Sequence, residues 1–189
     1  MFSKLREAMS EGDRKKMADV QSSDDQVDVL QGEILRYLAE IRKQELSEVE
    51  GRDIGLAMRT VDQLESIGDV IETDLVSIGY HIIDTDFKGS DTYRHLLKKL
   101  GDKVALALSL TTQAIRELDQ KAAQEVLNMK PDIDRLLEQA LDFQSQALAD
   151  LSDIETTRLE MNLLNSLKQM QTYLKRINRQ LLPDEVHMS

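Results

Sequence analysis

Long stretches of this sequence repeat an apolar residue every three or four positions, with almost nothing to interrupt them. Only two prolines occur among the 189 residues. That spacing places the apolar side chains on one face of an α-helix, and proline, which breaks helix interiors, is scarce. The longest such pattern covers residues 47–82, roughly 50 Å of helix at about 1.5 Å per residue. The sequence therefore predicts an all-α protein built from long amphipathic helices.

Capping signals indicate where the predicted helices begin. Ser47 is followed three residues later by Glu50, and Ser152 is followed in the same way by Glu155. At this spacing each side chain can satisfy a backbone N–H of the other residue, which is the capping box of a helix start. Asp119 is a further candidate cap, and Pro131 suits a first helical turn. The predicted helices cover residues 2–18 with an interruption at 12–13, 27–46, 47–82, 91–117, 119–128, a segment from 131 onward, and 152–182.

The two capping boxes are separated by 105 residues, which suggests an internal duplication. Shifting the chain by 106 residues places Asp13 on Asp119. We therefore predict a single domain made of two three-helix bundles related by a pseudo-twofold axis. Within 1–189, the first bundle would comprise residues 1–86 and the second residues 90–182, with residues 183–189 as a frayed tail.

Charge and composition exclude several classes of function. The net charge of −11 argues against a nucleic-acid binder, which needs a cationic surface for phosphates. There is no cysteine, and therefore no disulfide and no thiolate nucleophile. No run of 18 apolar residues occurs, and neither a phosphate-binding loop nor a nucleophile or zinc-protease motif is present. We therefore expect a cytoplasmic protein that is not an enzyme.

Four carboxylates form a stripe on the longest predicted helix. Asp62, Glu65, Asp69 and Glu72 fall within about 80° of one another at the helical 100° per residue. Like charges at these spacings cost about 0.2–0.5 kcal/mol per pair. Solvent, a cation or a basic side chain must therefore lie against the stripe. Asp28, on the preceding helix, could complete a site, although it also suits the N-terminal end of a helix dipole, as do Asp24 and Asp25.

Three interpretations of the stripe remain open. It is a solvated acidic face, a divalent metal site, or an ion-pair contact either within the chain or with a partner. Hard cations such as Mg²⁺ or Ca²⁺ suit an all-oxygen ligand set, so the metal ligands would be Glu65, Asp69, Glu72 and Asp28. His81 and His95 are a second candidate metal pair, weighed against ordinary surface histidines. A basic strip on the last helix, weighed as a solvated face or a docking surface, consists of Lys168, Lys175, Arg176 and Arg179.

A glycine lies inside the stripe. Gly68 costs about 1 kcal/mol of helix stability relative to alanine, and we expect another backbone to approach it closely. The same helix is expected to pack through residues on a neighbouring side, namely Leu64, Ile67, Ile71 and Leu75.

Residues 64–69, Leu-Glu-Ser-Ile-Gly-Asp, resemble the Leu-Glu-Arg-Ile-Gly-Asp signature of PhoU domains. Residues 37–47 are most similar to the C-terminal cytoplasmic PhoU-like region of Na⁺/phosphate cotransporters. The resemblance implies two three-helix bundles, a role in phosphate homeostasis and, in some members, metal on Glu-x-x-x-Asp motifs. Two departures weaken the metal inference. Ser66 replaces the arginine, and the second repeat carries Lys168 and Thr172 where the first has Glu65 and Asp69.

The function implied by this resemblance is a regulatory module that modulates phosphate transport. Its partner would be the membrane part of a phosphate transporter in the same chain, which would tether the module to the membrane. The alternative is a free-standing regulator that acts in trans on a phosphate transporter or sensor kinase. A homodimer is a further expected assembly. A metal-dependent hydrolase has only the stripe in its favour.

The repeat also makes a prediction about the first helix. In the second unit about 27 residues of helix precede Asp119, but only twelve precede Asp13. We therefore expect the first helix to be shortened by roughly four turns and to leave an apolar strip exposed beside residues 2–12.

Overall fold

The fold is all-α, as the sequence predicts. The computed structural model describes residues 1–85, 90–148 and 154–183, and these ranges contain helices and no strand. Helix α4 runs into α5 through a π-helical segment, Val70–Leu75. The helices are α1 Phe2–Glu11, α2 Arg14–Gln21, α3 Asp24–Ile41, α4 Glu48–Asp69, α5 Val76–Thr85, α6 Asp91–Glu117, α7 Gln120–Asn128, α8 Lys130–Leu148 and α9 Ile154–Gln180.

The helix starts follow the capping signals. The Glu50 N–H donates to the Ser47 hydroxyl at 3.3 Å, and the Ser47 N–H donates to the Glu50 carboxylate at 2.9 Å, so the first capping box is confirmed. The second box lies at Ser152, outside the described residues. Helix ends were predicted less well, because α3 stops at Ile41 rather than near residue 46.

The junction between α1 and α2 recurs between α6 and α7. Asp13 and Asp119 each cap the second helix by accepting two backbone N–H groups. The backbone N–H of each aspartate donates to the carbonyl five residues earlier, at 3.0 and 3.2 Å. The preceding residue is left-handed in both cases, Gly12 with φ 67° and Leu118 with φ 52°. The 106-residue shift therefore superimposes two equal pieces of local structure, while the unit boundaries at 1–86 and 90–182 stay predictions. Of the tail, residues 184–189 lie outside the described part.

The first helices of the two units differ greatly in length. Helix α1 has 10 residues and α6 has 27. Helix α8, the counterpart of α3, buries Ile133, Leu137 and Ala140. Helix α3 contains no buried residue; Val27, Leu35, Leu38 and Ile41 are half-buried, and other apolar side chains of this helix are exposed. We call the exposed set Leu30, Ile34 and Tyr37 the α3 face; these residues are 56%, 41% and 68% exposed.

The exposed apolar surface does not lie where it was expected, beside residues 2–12. The apolar side chains Phe2, Leu5 and Ala8 of α1 are buried, although a cavity of about 690 Å³ lies beside this helix with Met9 and Leu97 in its lining. Exposed apolar side chains instead lie on α3, and Leu64 of α4 is 38% exposed. The prediction that Leu64 packs in the core is therefore wrong, because no helix covers that part of the α3–α4 pair among the described residues.

The left-handed junctions provide a test by exchange. Replacing Leu118 by glycine should stabilise the protein by about 0.5–1 kcal/mol, since a left-handed L-residue costs about 1–2 kcal/mol and glycine recovers part of that cost. Gly12→Leu is the matched variant and should destabilise the protein by about 1–2 kcal/mol. Urea unfolding followed by circular dichroism measures both. A Leu118→Gly protein less stable than the wild type would contradict the prediction.

Candidate functional site

Three carboxylates from two helices converge where the start of α3 crosses the end of α4. Oxygens of Asp24, Asp28 and Asp69 all lie within 4.8 Å of one another. Asp28 and Asp69 were predicted ligands. Asp24 was considered only as a helix-dipole partner, although its position four residues before Asp28 puts both on one helical face. We call these three residues the carboxylate cluster.

Gly68 allows this approach. A Cβ atom at Gly68 would lie 3.0 Å from Asp24 Oδ1 and 3.5 Å from a methyl carbon of Val27. Both neighbours are side-chain atoms, so the prediction that another backbone approaches Gly68 is wrong. The missing side chain makes room for a carboxylate, and the helix gives up about 1 kcal/mol of propensity at this position.

Asp24 is the least solvated member of the carboxylate cluster. Its Oδ1 atom is buried and receives no hydrogen bond within the described part of the chain. Burial raises the pKa of the Asp24 carboxyl, and the charges of Asp28 and Asp69 raise it further. A buried carboxylate oxygen without a donor is costly, and a cation would remove that cost.

Glu65 and Glu72, which were predicted to be ligands together with Asp28 and Asp69, have different surroundings. The Glu65 carboxyl is half-buried, and its pKa is raised by that burial and by the neighbouring charge of Asp69. Glu72 does not reach the cluster. It accepts from the Gln21 amide at 3.1 Å and from the Thr73 hydroxyl at 2.9 Å. The backbone is π-helical from Val70 onward, so the spacing of 100° per residue assumed for the stripe does not hold at Glu72. The charge of Glu72 nevertheless contributes to the raised pKa of Asp24.

No basic side chain neutralises this acidic surface. Among residues 1–85, 90–148 and 154–183, no lysine or arginine nitrogen lies within 4.0 Å of a carboxylate oxygen of Asp24, Asp28, Glu65 or Asp69. No ion pair among the described residues therefore offsets the negative charge of the carboxylate cluster. Its all-oxygen character fits a hard divalent cation such as Mg²⁺ or Ca²⁺.

The other candidate residues lie apart from the cluster. His81 faces Glu155 of α9, with 4.0 Å between its Nε2 atom and the carboxylate. In the basic strip, the Arg176 guanidinium lies over the Tyr173 ring at 5.8 Å. Arg179 instead lines a cavity beside the first half of α4. His95, the other histidine of the predicted pair, is exposed on α6.

Comparison with known proteins identifies the fold. Residues 1–73 match the family model of the PhoU domain, and this matched range contains all three residues of the carboxylate cluster. The structure is similar to the crystal structure of PhoU from Pseudomonas aeruginosa, with a TM-score of 0.84 over 95% of this chain and 87% of that chain, at 18% sequence identity. No curated protein matches the sequence significantly.

The class of protein follows from these comparisons. The chain has the PhoU fold, and its first 73 residues carry the PhoU domain match, so the resemblance predicted from residues 64–69 is confirmed. None of the helices in the described ranges has both the length and the apolarity that crossing a bilayer requires.

The raised pKa of Glu65 predicts a pH-dependent effect of Glu65→Gln. The folded-state pKa lies above the unfolded value, so the folded protein holds this proton more tightly and wild type loses stability as pH rises through that interval. With chelator present, Glu65→Gln should therefore be more stable than wild type at pH 7, by roughly 0.2–0.5 kcal/mol for each like-charge contact relieved. The gain should vanish below the ordinary glutamate pKa of about 4.3.

Urea unfolding at several pH values measures this effect. Glu138→Gln, an exposed glutamate of α8, is the matched control and should show no such trend. A Glu65→Gln gain that persists unchanged below pH 4, or no gain at pH 7, would contradict the assignment.

Proposed function

We propose that this chain regulates phosphate transport without catalysing a reaction. The observation that supports the proposal is the PhoU-domain match over residues 1–73 together with a PhoU fold over 95% of the chain. PhoU domains are regulatory. The module would be the cytoplasmic PhoU-like region of a Na⁺/phosphate cotransporter. The alternative is a free-standing regulator acting in trans on a transporter or sensor kinase.

The α3 face is the surface that we propose contacts the transporter. Leu30, Ile34 and Tyr37 form one exposed stripe, and Leu64 of the neighbouring helix enlarges it. A stripe of this kind on a helical protein is typical of a protein–protein contact. A second copy of the chain is the other occupant considered, because an apolar stripe can pack against itself across a twofold axis.

A phosphate-uptake assay tests the proposed role. Cells carrying Leu30→Glu together with Ile34→Glu should lose the normal response of phosphate uptake to external phosphate, since two charges are placed in the contact. Leu141→Glu, on an α8 residue that is 48% exposed, is the matched control and should leave the response intact.

Three outcomes separate the alternatives. An unchanged uptake response in the double variant would overturn the assignment of the α3 face. An unchanged response after complete removal of the chain would overturn the regulatory function. Light scattering of the purified variants distinguishes a second copy from another partner. If the α3 face binds a second copy, the wild type should be a dimer and the double variant a monomer; if it binds another partner, both should have the same mass.

We also propose that the carboxylate cluster binds a divalent cation, with Glu65 at its edge. The cation would be hard, such as Mg²⁺ or Ca²⁺, and would be held by Asp24, Asp28 and Asp69. The buried, unpartnered Oδ1 of Asp24 supports this proposal.

Calorimetry tests the cation site directly. Wild type should bind Mg²⁺ or Ca²⁺, and Asp24→Asn and Asp69→Asn should each weaken binding at least about tenfold, the size of losing one charged ligand contact of roughly 1.4 kcal/mol. Glu138→Gln should bind as wild type does. Equal binding by all four proteins, or no binding of any divalent ion, would leave the cluster as a solvated acidic face.

A further inference from the structure

A large cavity lies at the other end of α4 from the carboxylate cluster. Its volume is about 1330 Å³, and its walls are the first half of α4, the segment after α3 and the chain after α9. Arg52 and Asp69 are separated by seventeen residues of one helix, or roughly 25 Å at about 1.5 Å per residue. The cavity is therefore a separate feature from the proposed cation site.

Four arginines line this cavity. Arg52 and Arg59 come from α4, Arg42 from the segment after α3, and Arg179 from α9. No lysine contributes to the lining. We call the cavity with these four arginines the arginine pocket.

The four guanidinium groups of the pocket form no ion pair with the described residues. In the described part of the chain none of them lies within 4.0 Å of a carboxylate oxygen, whereas Arg6, Arg14 and Arg94 on other surfaces each pair with an aspartate. Two carboxylates, Glu48 and Asp53, also line the pocket, so the arginines outnumber them two to one. An excess of positive charge in one cavity of a chain with net charge −11 favours an anionic ligand.

Two glycines keep the floor of the pocket open. Gly51 and Gly55 lie one turn apart on α4, and a Cβ atom at Gly51 would meet no atom within 4 Å. At Gly55 a Cβ would lie 3.4 Å from the Arg59 guanidinium, so this guanidinium lies across bare backbone. Each glycine costs about 1 kcal/mol of helix propensity relative to alanine. Local packing would tolerate a side chain at either position, so packing does not explain the glycines.

The pocket also has an apolar wall, to which Leu46, Leu56 and Met58 contribute. A ligand that complements both the arginines and this wall carries negative charge and an apolar or planar part.

We infer that the arginine pocket binds a small organic molecule with two or more phosphate groups, of the chemical class of a nucleoside polyphosphate. Arginine presents a planar fork of donors that matches phosphate oxygens in pairs and stacks on flat rings, which lysine does not. Ligand sites commonly enclose about 300–1,000 Å³, so the cavity is large enough for a nucleotide. Inorganic phosphate presents fewer oxygens to the four arginines than a polyphosphate does, so we expect it to bind more weakly. This inference does not depend on the proposed regulation of phosphate transport.

Binding assays on the full chain test the arginine pocket. The probes are ATP, inorganic pyrophosphate and inorganic phosphate, titrated by calorimetry with chelator present so that the carboxylate cluster cannot contribute through a bound cation. ATP should bind most tightly and phosphate most weakly. Arg52→Ala with Arg59→Ala should weaken ATP binding at least tenfold. Arg94→Ala, which removes an arginine outside the pocket, should bind ATP as wild type does.

A second measurement uses only the wild-type protein, so it does not depend on whether the double variant folds. In a ¹H–¹⁵N spectrum, ATP should shift the backbone amides of Gly51 and Gly55 and leave that of Gly68 in place. Absence of binding at millimolar ATP, shifts at Gly68 instead, or equal affinity in the double variant would overturn the inference. So would binding of a poly-glutamate peptide without binding of any phosphorylated probe, which would assign the pocket to an acidic protein segment. If the Arg52→Ala, Arg59→Ala variant lost ATP binding but kept the normal response of phosphate uptake to external phosphate, the proposed function would still stand.

Discussion

The packing of α9 is the interaction on which the rest of the structure depends. One face of this helix buries Leu164, Leu167, Met170, Leu174 and Ile177, each no more than 3% exposed. Each such side chain contributes about 1.5–3 kcal/mol when it is removed from water. Helices of both units, α4 and α5 as well as α6, α7 and α8, pack against α9. The first unit, whose own first helix is short, is therefore held in one core with the second.

That shared core explains how α4 can carry two opposed polar ends. The helix is anchored along its length by the buried residues Ile54, Thr60 and Ile67, and its ends can carry charges that a marginal helix could not sustain. Carboxylates gather near Asp69, where like charges repel one another. The arginines of the arginine pocket, which form no ion pair within the described part of the chain, lie near the start of α4. Both clusters are electrostatically unfavourable in isolation, and each is relieved by a ligand of opposite charge.

The carboxylate cluster shows how far a helical pattern predicts a site. Asp28 and Asp69 could be proposed together because two antiparallel neighbouring helices bring an early residue of one near a late residue of the next. Asp24 was missed as a ligand because three aspartates at a helix start are equally explained by the helix dipole. Glu72 lies outside the group of three, and the stripe assumed 100° per residue throughout, a spacing that the π-helical segment after Asp69 does not follow.

Local sequence alone determined the helices, their caps and the repeated junction at Asp13 and Asp119, because hydrogen bonds within a few residues decide all of these. Only the tertiary structure decided which apolar residues are covered. Leu30 and Ile34 have the same periodicity as core residues, yet they face solvent because no helix in the described part of the chain lies over them. The arginine pocket was likewise beyond sequence reasoning, since Arg42, Arg52 and Arg179 come from three separate elements. Periodicity states which side of a helix is apolar, whereas burial depends on a second surface that the helix itself does not encode.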